Sequence, residues 1–313
     1  MRVLRKGPGF CLESVMSDFD LKNAPQLTPG TNARIWVISD IQQSAPADAL
    51  ATLSAAVDDV LALGLQLDAV WCLGDALRGP DEAALDEVAD IFIKQLARLN
   101  LPVCYLLGNH DMDLKRVSGV DRYPLWTQAL ADANWQTMER IDAFYFARRF
   151  GATLVVFMGD HADPHGEWFT THGGVSGKSP GAYPHDEATY TRVSRALADY
   201  AGPVVIAAHY AFPGGQKPAP LMARLLPLPA NVKLSLHGHA HIGDLVWNKD
   251  NPWERNNPVI GQALRQINVS ALETVRSPGS HSAILELGAG GPTALSIRCH
   301  QEKAWRESYS FGE

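Results

Sequence analysis

The chain has 313 residues, 46% of them hydrophobic, which is enough to bury a substantial core, and its Gly and Pro content is too low for a disordered protein. A formal net charge of −7 disfavours broad binding to a polyanion such as nucleic acid, yet it permits a small anionic substrate held through bound cations. No apolar run is long enough for a membrane span, and four dispersed cysteines (Cys11, Cys72, Cys104 and Cys299) form no disulfide framework, which points to a reducing, cytoplasmic compartment.

Residues 1–31 show no period and read as an irregular leader, whose broken apolar stretch GFCLESVM does not make a signal peptide. Residues 32–313 read as one domain. A first strand, RIWVISD, runs into Asp40. A helix follows over residues 44–64, with Ser44 as its cap, Pro46 in its first turn and Gly64 at its exit. Its predicted apolar face is Leu50, Leu53, Val57, Val60 and Leu61. The strand DAVWCLGD leads to a second helix with Leu85, Val88, Phe92, Leu96 and Leu99 on one side.

The strand and exit loop LPVCYLLGNHD come next, then a helix near YPLWTQALADA and the strands AFYFARRF and TLVVFMGD. Residues 161–187 interrupt the rhythm with a long insert rich in Gly, Pro and His. Its GGVSGKS stretch is no phosphate loop, because His172 stands where a glycine is required. A helix and the strands GPVVIAAHY and NVKLSLHGHAH follow, and the remainder is strand-rich. Alternating strands and helices with apolar strands predict an α/β sheet covered by helices.

Five segments each follow an apolar strand: Asp40-Ile41-Gln42, Gly74-Asp75, Gly108-Asn109-His110-Asp111, His209, and His237-Gly238-His239-Ala240-His241. Ligands of open α/β sheets gather beyond the carboxyl ends of strands, so these segments can converge despite their separation. Carboxylates, amides and neutral imidazoles suit Mn, Fe, Zn, Ni or Mg. Taken singly, each has a plainer reading as a cap, turn or core residue. As an ordered set they predict a metal site.

This series resembles that of the calcineurin-like metallophosphoesterases, from about residue 33 to residue 241. The resemblance implies a four-layer sandwich of two mixed β-sheets flanked by helices. It implies a dinuclear-metal-dependent hydrolase that cleaves phosphoric ester or diphosphate bonds by attack of a metal-bridged hydroxide. Asp75 would bridge two divalent ions, with Asp40, Gln42 and His241 on the first and Asn109, His209 and His239 on the second. His110 would sit beside the leaving group, and Asp111 would either steady His110 or hold its own turn.

Gln42 departs from the usual Asp-x-His. Purple acid phosphatases also lack that histidine but carry a Tyr three residues after the Gly-Asp aspartate, where this chain has Arg78. The Asp-x-Gln motif resembles instead the manganese-dependent ADP-ribose/CDP-alcohol diphosphatases. Gln and neutral His carry the same charge, but an amide oxygen is a harder, weaker donor that favours Mn or Mg. A small, nucleotide-like phosphorylated substrate follows from this likeness. The alternatives are a phosphomonoesterase or cyclic-nucleotide phosphodiesterase, or a noncatalytic binding module with a degenerate site. For substrate contacts the candidates are Arg78, which either clamps a phosphate or pairs with Asp81 or Glu82, and His161 and Trp168 of the insert. The insert reads equally as an aromatic lid or as a solvated loop.

Overall fold

A computed structural model of the chain describes residues 24–28, 30–43, 45–78, 82–108, 110–111, 129–136, 145–158, 187–212, 225–241, 254–256 and 264–311. The strands are β1 (Gln26–Thr28), β2 (Ala33–Ile38), β3 (Ala69–Cys72), β4 (Val103–Tyr105), β5 (Tyr145–Phe150), β6 (Thr153–Met158), β7 (Val204–Ala208), β8 (Val232–His237), β9 (Glu254–Asn256), β10 (Arg265–Asn268), β11 (His281–Gly288), β12 (Gly291–Cys299) and β13 (Ala304–Ser310). The helices are α1 (Pro46–Ala62), α2 (Glu82–Ala97) and α3 (Glu187–Asp199).

Among the described residues two mixed sheets form, in the orders β1-β5-β6-β7-β8-β10-β9 and β13-β12-β11-β2-β3-β4. In the second sheet β2, β3 and β4 run parallel, joined through α1 and α2, while β11 pairs antiparallel with β2. The strand-rich tail is therefore divided: β10 extends the first sheet and β11–β13 complete the second. Every residue of β3 is buried, as expected of a strand covered on both faces. Trp71 of β3 meets Phe150 and Phe157 of the first sheet edge-on, with ring centroids 5.1 and 5.3 Å apart, and this aromatic contact lies in the core between the sheets. α1 and α2 cover the outer face of the second sheet, and Val193 and Leu197 of α3 pack with Leu154, Val156 and Ile206 outside the first. The result is the four-layer α/β sandwich.

Several local expectations differ from the structure. α1 has Ala45 at its N-cap, with no side-chain cap, and Ser44 lies outside the described residues. Pro46 opens the helix with its φ preset, so less depends on a cap. Leu50 and Leu61 face solvent, 43% and 47% exposed, and Ala49 and Ala56 take the inner face with Leu53, Val57 and Val60. Small alanines let the helix lie close to the sheet. The leader closes in a short strand, β1, whose three residues carry no periodic signal and are held by the edge of β5. β13 is likewise an edge strand, mostly exposed, with Arg306 and Glu307 at its middle, so no apolar alternation announces it.

α1 is fastened to the second sheet by a buried polar network. Arg298 donates to both oxygens of Asp59, from Nε at 2.9 Å and Nη2 at 2.7 Å. His300 Nδ1 lies 2.8 Å from Asp59 Oδ2, and His300 Nε2 lies 2.7 Å from Ser282 Oγ. The Trp36 indole N–H donates to the same Ser282 oxygen at 2.7 Å. The Trp36, Ser282 and His300 donors are all used if His300 carries its proton on Nδ1 and Ser282 donates to Nε2. Ser282, His300 and Asp59 thus stand in the order of a nucleophilic triad, yet all three are buried and the serine oxygen is already engaged. The network is a strut.

These buried groups make stability acid-sensitive. Burial pushes the Asp59 carboxyl up, but the hydrogen bonds from Arg298 and His300 hold it below the usual range. Burial lowers His300, and burial with nearby Arg306 lowers His281 from 6.5 to about 4. The unfolded chain therefore takes up these protons first, and stability is lost as pH falls. In chelator, the midpoint of thermal unfolding should drop between pH 6.5 and about 4, with a shallower slope in His281→Asn. An unchanged slope would refute the assignment.

Candidate metal centre

The carboxyl ends of the parallel strands of both sheets meet at one place. Asp40 and Gln42 follow β2, Asp75 follows β3, His110 and Asp111 follow β4, His209 follows β7, and His239 and His241 follow β8. The loops are sewn together by main-chain hydrogen bonds, from Asp40 N to Gly74 O at 3.0 Å and from Ile41 N and Gln42 N to Asp75 O at 2.9 and 3.0 Å. Asp40, Asp75 and His239 all adopt left-handed backbone, with φ of 52°, 54° and 61°. Such conformations are uncommon for residues with a Cβ and persist where surrounding contacts over-determine them.

The glycines at 108 and 238 have a steric cause. A Cβ on Gly108 would fall 2.2 Å from Asp75 Oδ1 and 2.5 Å from Asp75 N. One on Gly238 would fall 1.8 Å from Ser39 Oγ and 2.5 Å from Asp40 Oδ2. The carboxylates occupy the space that a side chain would need.

Asp40 Oδ2 accepts from Ser39 Oγ at 2.6 Å and from His239 N at 2.8 Å. Its Oδ1 faces His241 Nε2 at 3.2 Å and Gln42 Nε2 at 3.4 Å, and Gln42 Nε2 lies 2.9 Å from His241 Nε2. Asp75 Oδ1 accepts from His110 N at 2.7 Å, while Oδ2 stands 3.4 Å from His209 Nε2. Donor atoms of Asp75, His209 and His239 lie within 4.8 Å of one another. His209 Nδ1 donates to Leu73 O at 2.7 Å, which leaves the Nε2 lone pair towards Asp75.

These residues fit cations. Gln42 Oε1 and Asp75 Oδ2 are buried acceptors that receive no hydrogen bond, each a deficit of about 1–3 kcal/mol that a cation would remove. The Asp40, His241 and Gln42 terminal atoms are 2.9–3.4 Å apart. Adjacent donors around one cation with bonds of about 2.1 Å stand about 3.0 Å apart. Turning the Gln42 amide exchanges Nε2 for Oε1 in that triangle. Without cations, protons serve instead. Against burial, the carboxylates Asp75 and Asp40 hold His209 up at about 10, and Asp40 holds His241 up at about 9. Both have finished titrating above the acid window of His281.

Asp40, Gln42, Asp75, His209, His239 and His241 are thus brought together, with His110 buried beside Asp75. Asn109 lies outside the described residues, as do His161, Trp168 and nearly all of the insert. Arg78 is half-buried three residues beyond Asp75. Of the two readings for Asp111, the structure has the turn: Oδ2 accepts from Asp75 N and Gly108 N at 2.8 Å each, and Oδ1 accepts from Leu77 N at 3.0 Å. Three main-chain donors meet this carboxylate, so Asp111 ties the two loops together. Burial drives His237 down to about 4, and it stays in the core with Nδ1 3.1 Å from Gly238 O.

The sequence reading missed Glu273, whose Oε1 is 2.6 Å from His241 Nδ1. The available signal was its place after the strand QINV, a sixth strand exit ending in an acid.

A sandwich whose strand ends gather two aspartates with histidines and an amide around a cation-seeking centre defines a metal-dependent phosphoesterase, a hydrolase. The model of the calcineurin-like phosphoesterase family matches residues 33–243, and the chain belongs to that family, which uses a dinuclear divalent metal site. A dimetal phosphatase from Danio rerio is similar, at 14% identity and TM-score 0.50 over 85% of this chain and 95% of that one. GAP50, described as the anchor in the inner membrane complex of Plasmodium, is similar at 13% identity and TM-score 0.56 over 90% of this chain and 88% of that one. At these identities the likeness is one of fold. No curated protein matches the sequence. Among the described residues no helix is long and apolar enough to cross a membrane.

Proposed function

We propose that the protein hydrolyses phosphodiester or pyrophosphate bonds of a small nucleotide-like molecule, with two manganese ions as its working cations. The observation that carries this reading is the close triangle of Asp40, His241 and an amide, Gln42, beside the Asp75-His209-His239 cluster. Asp40, Gln42, His241 and Asp75 would hold one ion; Asp75, His209, His239 and Asn109 would hold the other. When bound, such ions polarise phosphoryl oxygens and lower the pKa of water. An oxygen-rich first group with one imidazole suits Mn better than softer ions.

The residues themselves do the rest. Buried Asp40 and Asp75 concentrate negative charge that only cations or protons relieve, so an anionic substrate binds after the cations do. Asp111 sets the separation of the Asp75 and Gly108 loops through three main-chain donors. His110, tethered through its main-chain N–H to Asp75, is the acid for the leaving oxygen. Arg78 supplies a guanidinium for a second phosphate. The net charge of −7 disfavours a nucleic-acid partner, and the free, buried Cys72, Cys104 and Cys299 suit a reducing cytoplasm. The retained donor set weighs against a noncatalytic module, even though one protein of this fold is described as an anchor.

Manganese-loaded protein should turn over bis-nitrophenyl phosphate faster than the monoester, and ADP-ribose or CDP-choline among natural diphosphates. Faster monoester hydrolysis, or no hydrolysis at all, would overturn the reading. His110→Ala should slow substrates with alkoxide leaving groups by about 10²–10⁴-fold and nitrophenyl esters far less. Equal losses would remove His110 from the acid role.

A further inference from the structure

Glu273 is a buried carboxylate that the metal-site reading leaves without a task. It follows β10, which lies parallel to β8, so it emerges beside the loop that carries His239 and His241. Its main chain is tied to the Asp40 loop: Leu272 N donates to Ser39 O and Glu273 N to Asp40 O, both at 3.0 Å. Its side chain is held by its own turn. Oε2 accepts from Val275 N at 2.7 Å, and Arg276 N reaches Oε1 and Oε2 at 3.0 and 3.1 Å. The carboxylate is therefore fixed before any ligand arrives, with Oε1 2.6 Å from His241 Nδ1.

An ionised carboxylate can only accept hydrogen bonds. Beside it, a His241 ring that gives up its Nε2 proton for a cation would keep the proton on Nδ1 and present the Nε2 lone pair to the side where Asp40 Oδ1 and the Gln42 amide lie, 3.2 and 2.9 Å away. Carboxylate-backed histidines are oriented and made stronger donors. The need is greater here because Gln42 leaves the Asp40 group with a single imidazole.

We propose that Glu273 is a positioning residue for the Asp40-Gln42-His241 cation site, and that it offsets the weak amide donor by locking His241 with Nε2 towards the cation. This rests on the metal-site reading above. The effect is local: the Asp75-His209-His239 group has its own orienting acceptor, Leu73 O on His209.

The test is a titration of chelator-treated full-length protein with Mn alone, followed by the electron paramagnetic resonance of free Mn and by thermal unfolding without metal. In Glu273→Gln the Kd of one ion should rise about 10–100-fold while that of the other is unchanged. Adding Gln42→His to that variant should restore most of the loss, because a second imidazole replaces what Glu273 supplied. A merely structural turn would lower the metal-free unfolding temperature and shift both ions together, with no rescue. If Glu273→Gln does not fold, Glu273→Asp keeps the charge but withdraws it from His241, and should weaken the same ion. Wild-type protein that binds no Mn overturns the metal-site reading and this inference with it. Wild-type binding with unchanged affinities in the variants, or with no rescue by Gln42→His, overturns the inference alone.

Discussion

Asp75→Asn should lose phosphoesterase activity by at least about 10³-fold while keeping its fold. The magnitude follows from removing one of two aspartates around the centre, since several kcal/mol of charge stabilisation would depend on the cations they are proposed to hold, and about 4 kcal/mol is 10³ in rate. The shape survives because asparagine matches aspartate in size and retains an oxygen for the His110 N–H, now at 2.7 Å from Oδ1. The lost element is the charge on Oδ2, which stands 3.4 Å from His209 Nε2 and accepts no hydrogen bond. Three measurements check this together: turnover of bis-nitrophenyl phosphate, Mn content after loading, and the rise in unfolding temperature on adding Mn. Ligands that bind only the native state raise stability in proportion to their occupancy, so the variant should show little of that rise. A variant keeping more than a tenth of wild-type turnover would remove Asp75 from the centre of the site.

Asp59→Ala should destabilise the protein by about 3–5 kcal/mol without altering the affinity for Mn. The loss is this large because Arg298 stays behind: its guanidinium is nearly buried and would retain its charge with no carboxylate to meet it. His300 loses its Nδ1 partner in the same stroke, and with it the order of donors running from Trp36 through Ser282. Replacing Asp59 and Arg298 together by apolar residues of similar size should cost much less than the single change, since a buried ion pair stabilises little beyond its own desolvation. Urea midpoints of the single and double variants measure the difference. A loss below about 1 kcal/mol in Asp59→Ala would mean that water already reaches Arg298.

The two results report on different distances in the chain. The strands leading to Asp40, Asp75 and His209 were legible because each is an apolar, buried run that ends at a polar candidate ligand. Close packing of the loops forces glycine at 108 and 238, and that local requirement shows as a motif. The inner face of α1 was half legible: Leu53, Val57 and Val60 follow the helical period, but Leu50 and Leu61 do too, and only the position of the sheet decides which side is dry. β1 and β13 were illegible. Edge strands are ordered by pairing with a neighbour, and their exposed residues carry no pattern of their own.

The sequence by itself determined the kinds of donor, their order, and the strand-end placement that identifies the phosphoesterase class, because those depend on near neighbours and on backbone sterics. Tertiary structure alone decided that Glu273 backs His241, that Asp111 is consumed by three main-chain donors, and that Asp59 meets Arg298 across 239 positions. Each of those contacts depends on which strands become neighbours and on how a helix packs on its sheet. A buried carboxylate looks the same in sequence whether it meets an imidazole, a guanidinium or three amides, and only its surroundings in space tell them apart.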